Sequence, residues 1–423
     1  MRSAGDKYLQ RQTDADIVSA ATAVAALLDR PWQHALVVPA CNENWQALQP
    51  MLTMCQSNNS LLILVLNEPA NAPGQWQQCN QDLLKQLHRD FALQPLAPGA
   101  WLDSNSNFLL LEYLGQRALN SKFGVGLARK QGNDLAALLH REGLVNNEWI
   151  GNTDADAQLP DNYFSCALPA LASAALHPYQ YSQTGIEPEI YRATLAYDMR
   201  LEQYRLGLLQ AGSRYAYTAH GSTLKVRAGD YAAAHGFPQR AAGEDFYLLN
   251  KLQKLGGVVQ LASPPVQLQP RCSDRVPFGT GPAVSRLLEF PDLHQAPLLY
   301  NPLVFERLGA LLQLLQSNHP DHWQAKAESA GLGEALGQLK PAALARHLAA
   351  RWQDNDQYQT HLHNWFDAFR TLKTVQHFRR SGLGDLSLAQ WLQQHGEASL
   401  PAGHGQALRA AGSLPTQPDR TSL

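Results

Sequence analysis

Glu148-Trp149-Ile150-Gly151-Asn152-Thr153-Asp154-Ala155-Asp156-Ala157-Gln158 is the stretch on which the reading of this chain turns. An apolar strand signal runs into two carboxylates spaced two apart, and the turn residues Leu159-Pro160-Asp161-Asn162 follow. Alternate side chains of a strand share a face, so Asp154 and Asp156 are expected to point at one spot where the strand leaves its sheet. Hard divalent cations take oxygen ligands, commonly one or two protein carboxylates plus substrate phosphates, so the pair suits magnesium holding a diphosphate. The plainer reading is a solvated strand end, with Asp161 capping the next helix.

Upstream, strand and helix signals alternate. Ala35–Ala40 and residues 61–66 are continuous apolar runs of the kind covered on both faces of a sheet, and Phe108–Tyr113 is a third strand signal, interrupted by Glu112. Helices are expected over residues 14–28, 45–54 and 75–89, from apolar residues at helical spacing. Such alternation implies crossover units and a mostly parallel sheet, whose ligands bind outside the carboxyl ends of the strands. Cys41 to Glu43, Asn67 with Glu68, and Asp154 with Asp156 all follow strands, so three polar clusters are expected to converge on one crevice.

Further motifs have two readings each. Gly124-Val125-Gly126-Leu127-Ala128-Arg129-Lys130-Gln131-Gly132-Asn133-Asp134 leads into a helix, and its glycines and cations would suit a phosphate or a plain glycine turn. The spacing fails the dinucleotide fingerprint. His220 touches substrate or is an ordinary loop histidine. Glu244 and Asp245 open a helix that glycine closes, either as a carboxylate base at a crevice or as acidic residues favoured by the helix dipole. Arg271 and Arg275 lie in a loop that would close over a diphosphate or stay solvated.

The composition narrows the field. A chain of 423 residues with a formal charge of −2 and 17% charged residues has no field to gather nucleic acid non-specifically. Five cysteines, with no Cys-x-x-Cys pair, argue against a complete disulfide framework and for a reducing compartment. Neither a signal-peptide core nor an apolar run of about 18 residues is present, so a cytoplasmic protein without a transmembrane segment is expected. Peripheral membrane contact stays open.

Taken together and in order, the motifs resemble those of the family 2 glycosyltransferases, over about residues 33 to 285. The pieces are Val38-Pro39-Ala40-Cys41-Asn42-Glu43, Gly126-Leu127-Ala128-Arg129-Lys130, Asp154-Ala155-Asp156, Gly221-Ser222, and Gly243-Glu244-Asp245 followed by Leu248, Leu252 and Gly256. The resemblance implies a GT-A type, Rossmann-like, mostly parallel α/β sheet flanked by helices. It implies an inverting, hexosyltransferase-type enzyme moving a sugar from a nucleotide-diphosphate donor to a hydroxyl of a glycan, lipid or small molecule. Asp154 and Asp156 would bind the donor with magnesium or manganese. Pro39, Asn42 and Glu43, with Asn67, would line the nucleotide pocket, Arg129 and Lys130 would sit nearby, and Arg271 and Arg275 are the remaining candidates for binding the donor. Asp245 would be the catalytic base, with Glu244 placing the acceptor. Cys41 stands where the family usually has an aromatic residue, and Asn67-Glu68-Pro69 replaces its usual acidic segment.

The expected organisation is a helical segment over 1–32, the transferase domain over 33–287, a helical extension over 288–396 and a disordered tail from 397. Within the extension, residues 360–380 read as one basic amphipathic helix whose aromatic stripe is expected to pack in a core. Two other functions fit parts of the pattern. One is a non-catalytic nucleotide-sugar sensor or scaffold. The other is a phosphoryl-transfer enzyme of the haloacid dehalogenase type, although that family carries its Asp-x-Asp on the first core strand and here the pair follows three earlier strand signals.

Overall fold

The computed structural model describes residues 4–28, 30–273 and 279–404. They divide into two compact units, Met1–Ser182 with Ala219–Gln269, and Gln183–Thr218 with Pro270–Leu423. The division differs from the expected one at both ends. The N-terminal helices belong to the first unit, and the second takes in the long helix Pro188–Gln210 as well as the C-terminal part.

The first unit is built on strands β1 (Ala35–Ala40), β2 (Leu61–Asn67), β3 (Gln94–Ala97), β4 (Ala100–Asp103), β5 (Phe108–Tyr113), β6 (Trp149–Asn152), β7 (Ala174–Leu176), β8 (Tyr179–Tyr181), β9 (Leu224–Arg227), β10 (Val258–Gln260) and β11 (Val266–Leu268). Nine of them form one sheet in the order β10-β7-β9-β6-β1-β2-β5-β4-β3, and β8 with β11 make a separate parallel pair. Strands β5, β2, β1 and β6 run parallel, β9 is antiparallel between β6 and β7, and a β3–β4 hairpin extends the far edge. The fold is therefore α/β, with a large, mostly parallel mixed sheet flanked by helices. All of β1 and β2 is buried, as a strand covered on both faces requires.

The chain passes from β1 outward to β2 and β5, then returns to place β6 on the other side of β1. Ligands of open α/β sheets collect where the strand order reverses in this way, here outside the carboxyl ends of β1 and β6. Pro39 marks the same place. Residues two apart along a strand present their backbone to the same neighbour, and the Val37 carbonyl accepts the Thr153 N–H on the β6 side. The pairing with β6 stops at Val37, so the N–H that Pro39 lacks costs no ladder bond there, and the two strands can part.

Helices α1 (Ala4–Arg11), α2 (Ala15–Leu27), α3 (Trp45–Ser57), α4 (Gly74–Asp90) and α5 (Gly124–Arg141) precede β6. Helix α5 is buried at Gly126 and from Ala128 to Leu139, because it lies directly on the sheet. A Cβ on Gly132 would stand 2.4 Å from Val37 Cγ1 and 3.0 Å from Val65 Cγ2. A Cβ on Gly126 would meet the Pro238 and Arg240 carbonyls at 2.5 and 2.6 Å. These two glycines serve close packing against protein, which overturns their reading as a phosphate cradle.

The second unit consists of α6 (Pro188–Gln210), further helices including Leu303–Ser317, Asn355–Trp365 and Ala368–Arg380, and an antiparallel pair, β12 (Pro297–Leu299) with β13 (Leu386–Ser387). One core gathers Leu308, Leu311, Leu312, Trp323, Tyr358, Leu362, Phe366 and Val375. Residues 360–380 are two helices rather than one. Asp367 interrupts them and caps the second, accepting from the Arg370 N–H at 3.1 Å. The stripe does pack inward at Leu362, Phe366 and Val375, while Phe369 stays exposed. The expected tail is partly ordered: Leu400 is buried with Val284 and Trp391, and His404 Nε2 lies 3.0 Å from Asp198. Residues 405–423 lie outside the described residues. No helix among the described residues is long and apolar enough to cross a membrane.

Candidate active site

Asp154 and Asp156 lie just beyond β6 in an irregular turn closed by Ala157 N–H to the Asp154 carbonyl at 3.2 Å. Both are half-buried, while the alanines at 155 and 157 are buried. Asp161 falls in a turn and caps no helix.

The carboxylates are organised by Arg129. This residue is 2% exposed on α5, and its Nη2 donates to Asp154 Oδ1 at 2.5 Å while its Nε donates to Glu244 Oε1 at 3.0 Å. Ser222 donates its hydroxyl to the other Asp154 oxygen. Gly221 leaves room for the guanidinium, since a Cβ there would lie 2.5 Å from Nη2. Arg129 is held from below by Asn133, which donates to the Arg129 carbonyl at 2.8 Å and exchanges side-chain bonds with Asn152 of β6. Four separate elements thus meet at one charge cluster.

Helices α7 (Ala228–Ala233) and α8 (Glu244–Leu252) follow β9, and α8 begins after Gly243 in the left-handed region at φ +72°. Glu244 is 5% exposed. Desolvation pushes its pKa up to about 7, the neighbouring Asp245 adds to the rise, and Arg129 opposes it. Expected to place an acceptor, Glu244 instead anchors Arg129. Asp245 is half-buried beside it in the first turn of α8.

At the end of β1, Asn42 adopts φ +56°, and its N–H donates to Asn80 Oδ1 at 2.8 Å. Asn80 in turn donates to Glu68, whose other oxygen accepts the Gly115 N–H at 2.9 Å. Glu43 is half-buried, and its carbonyl lies 3.5 Å from Cys79 Sγ. Asn67 is buried, with its amide donating to the Ala40 and Val65 carbonyls, both at 3.0 Å. It braces the ends of β1 and β2, a structural role in place of the expected nucleotide contact.

Lys130 is corrected outright. One residue along a helix is a turn of about 100°, so it cannot face the way Arg129 does. Its ammonium is buried on Asp134, which also accepts from Tyr8 at 2.8 Å and Tyr231 at 2.7 Å. Arg271 is half-buried and falls in the second unit, and Arg275 lies outside the described residues. His220 packs its ring 4.4 Å from that of Tyr179. Sequence reasoning gave no role to Ser222, Gly221, Asn133 or Asn152. The signal for the asparagines was a polar side chain inside an otherwise apolar strand and another four residues after Arg129 on the adjoining helix.

Among the described residues no group of three or more His, Cys, Asp or Glu side chains is arranged to hold a metal ion. Both Asp154 oxygens accept hydrogen bonds from the protein. A hard cation held by one or two carboxylates and completed by diphosphate oxygens and water needs no more from the chain, so the Asp154/Asp156 pair fits that mode and not an all-protein cage. Comparison with protein-family models returns no match, and comparison with curated proteins returns none either.

Proposed function

We propose that the chain is a metal-dependent, inverting glycosyltransferase of the GT-A type, using a nucleotide-diphosphate sugar as donor and a hydroxyl compound as acceptor, in the cytoplasm. The observation that carries the reading is the convergence of Asp154, Ser222, Arg129 and Glu244, with Asp245 beside them, near the switch point of the sheet. The absence of disulfides among its five cysteines is in keeping with the location.

In this mechanism Asp156 and Asp154 would hold magnesium or manganese, which when bound would supply electrophilic stabilisation to the diphosphate. Pro39, Asn42 and Glu43, at the end of the neighbouring strand, border the nucleotide. Arg129 fixes Asp154 and the start of α8 in one frame, so Asp245 meets the acceptor from a preset position. An acceptor hydroxyl is a weak nucleophile near neutral pH, and Asp245 takes its proton as attack proceeds. One in-line displacement inverts the anomeric centre.

The test is hydrolysis and binding of a panel of nucleotide sugars, with and without manganese. Metal-dependent release of one nucleoside diphosphate, lost in Asp156→Ala, supports the proposal and names the donor. Asp245→Asn should keep donor binding and lose turnover. Binding that is indifferent to Asp245→Asn and never accompanied by turnover, even with candidate acceptors, would instead identify a sensor. Failure of every donor to bind with metal present rejects the transferase reading.

A further inference from the structure

The first unit holds a second cluster of titratable groups, at Cys166, His177 and Lys225, which the proposed reaction does not use. Lys225, on β9, is 2% exposed; its Nζ donates to the Tyr163 carbonyl at 2.5 Å and lies 3.6 Å from Cys166 Sγ. The Tyr163 ring centroid is 4.2 Å away. Among the described residues no carboxylate pairs with this lysine. The nearby imidazoles offer no negative charge. His177 stacks 4.7 Å from Tyr163, with Nε2 at 4.0 Å from Cys166 Sγ and Nδ1 at 3.0 Å from Ser263 Oγ, and His34 stacks 5.0 Å from Phe164. Burial, and then the charge of Lys225, push both imidazoles down, His34 to about 4 and His177 to about 3, so both are neutral.

A buried ammonium without a counter-ion is unfavourable, and burial lowers the Lys225 pKa accordingly. Cys166 opposes the shift, but a lowered pKa enlarges the fraction of neutral amine, whose lone pair makes it a nucleophile. The sulfur 3.6 Å away belongs to Cys166, which is half-buried.

We propose that Cys166 and Lys225 form a peroxide-responsive pair, in which oxidation of the thiol is followed by capture of the sulfur by the lysine amine as a sulfenamide cross-link. In the first step the thiol and hydrogen peroxide give a sulfenic acid and water, the sulfur being oxidised and the peroxide reduced. In the second, Lys225 Nζ attacks the sulfenic sulfur. The S–N bond forms as the S–O bond breaks, and the hydroxyl leaves with one amine proton as water. The linked pair carries two hydrogens fewer than the thiol and amine it came from. Because nitrogen and sulfur already lie 3.6 Å apart, capture is intramolecular and outruns a second oxidation.

The experiment treats the purified full chain with hydrogen peroxide and maps its peptides by mass. A cross-linked pair joining Cys166 to Lys225, lighter by two hydrogens and released by dithiothreitol, is the expected result. Cys272, which is exposed, is the internal control for oxidation governed by access alone. Lys225→Arg keeps a positive charge but no neutral amine, so the cross-link should be lost and dimedone labelling of Cys166 should rise, with the fold checked by circular dichroism. Oxidation of wild-type Cys166 to sulfinic acid with no link to Lys225 overturns the proposal. That wild-type result decides the matter even if the variant does not fold.

Discussion

Arg129 carries the electrostatics of the candidate site. Its side chain and that of Glu244 are almost wholly buried, and Asp154 is about one-third exposed, so water does little to screen the contacts. Replacing it by methionine keeps an unbranched, largely apolar stem but leaves a buried carboxylate uncompensated. Arg129→Met is therefore expected to cost about 3–5 kcal/mol in urea unfolding. Glu244 adds a pH signature. Its pKa rises from 4.5 when unfolded to about 7 when folded, so between those values the folded state retains a proton that the unfolded state has lost. The stability from this proton is fully present below pH 4.5 and is lost as pH rises through about 7. Unfolding midpoints measured across that window should fall with pH in the wild type, and Glu244→Gln should flatten this part of the slope.

Among the elements, α5 decides the most. Its glycines look like a ligand loop in sequence, and the helix uses them to lie against β1, β2 and the 238–240 segment. Gly132→Ala would press a methyl into Val37 and Val65, which are stiff at χ1. Overpacking of this kind costs about 1–3 kcal/mol, and the gain in helix propensity returns about 1 kcal/mol at most. A lower urea midpoint with an unchanged slope is expected, and a midpoint at or above the wild type would contradict the packing account.

At the scale of the whole molecule, the chain builds two compact units from interleaved segments, each with its own core. The candidate carboxylates and Arg129 all belong to the first unit. Leu308 is fully buried in the second, and Leu308→Ala should cost about 2–5 kcal/mol through the cavity it leaves. At a temperature where the variant is still folded, nucleotide-sugar binding should be unchanged. A parallel loss of binding would mean that the proposed site depends on the second unit.

The sequence by itself determined the central strands and the carboxylate turn, because continuous apolar runs and alternation are local patterns that leave few other structures. It could not separate Arg129 from Lys130, although they are adjacent. Helical geometry sends one to Asp154 and the other to Asp134, and only packing decides which face meets which partner. The short strands β7 and β8 lie in the same category, since three residues carry too little pattern and are fixed by the ladders they join. Asn67 was legible as a polar residue at a strand end. Its bracing of the Ala40 carbonyl required the neighbouring strand to be in place, because a buried amide takes whichever acceptor the tertiary structure brings to it.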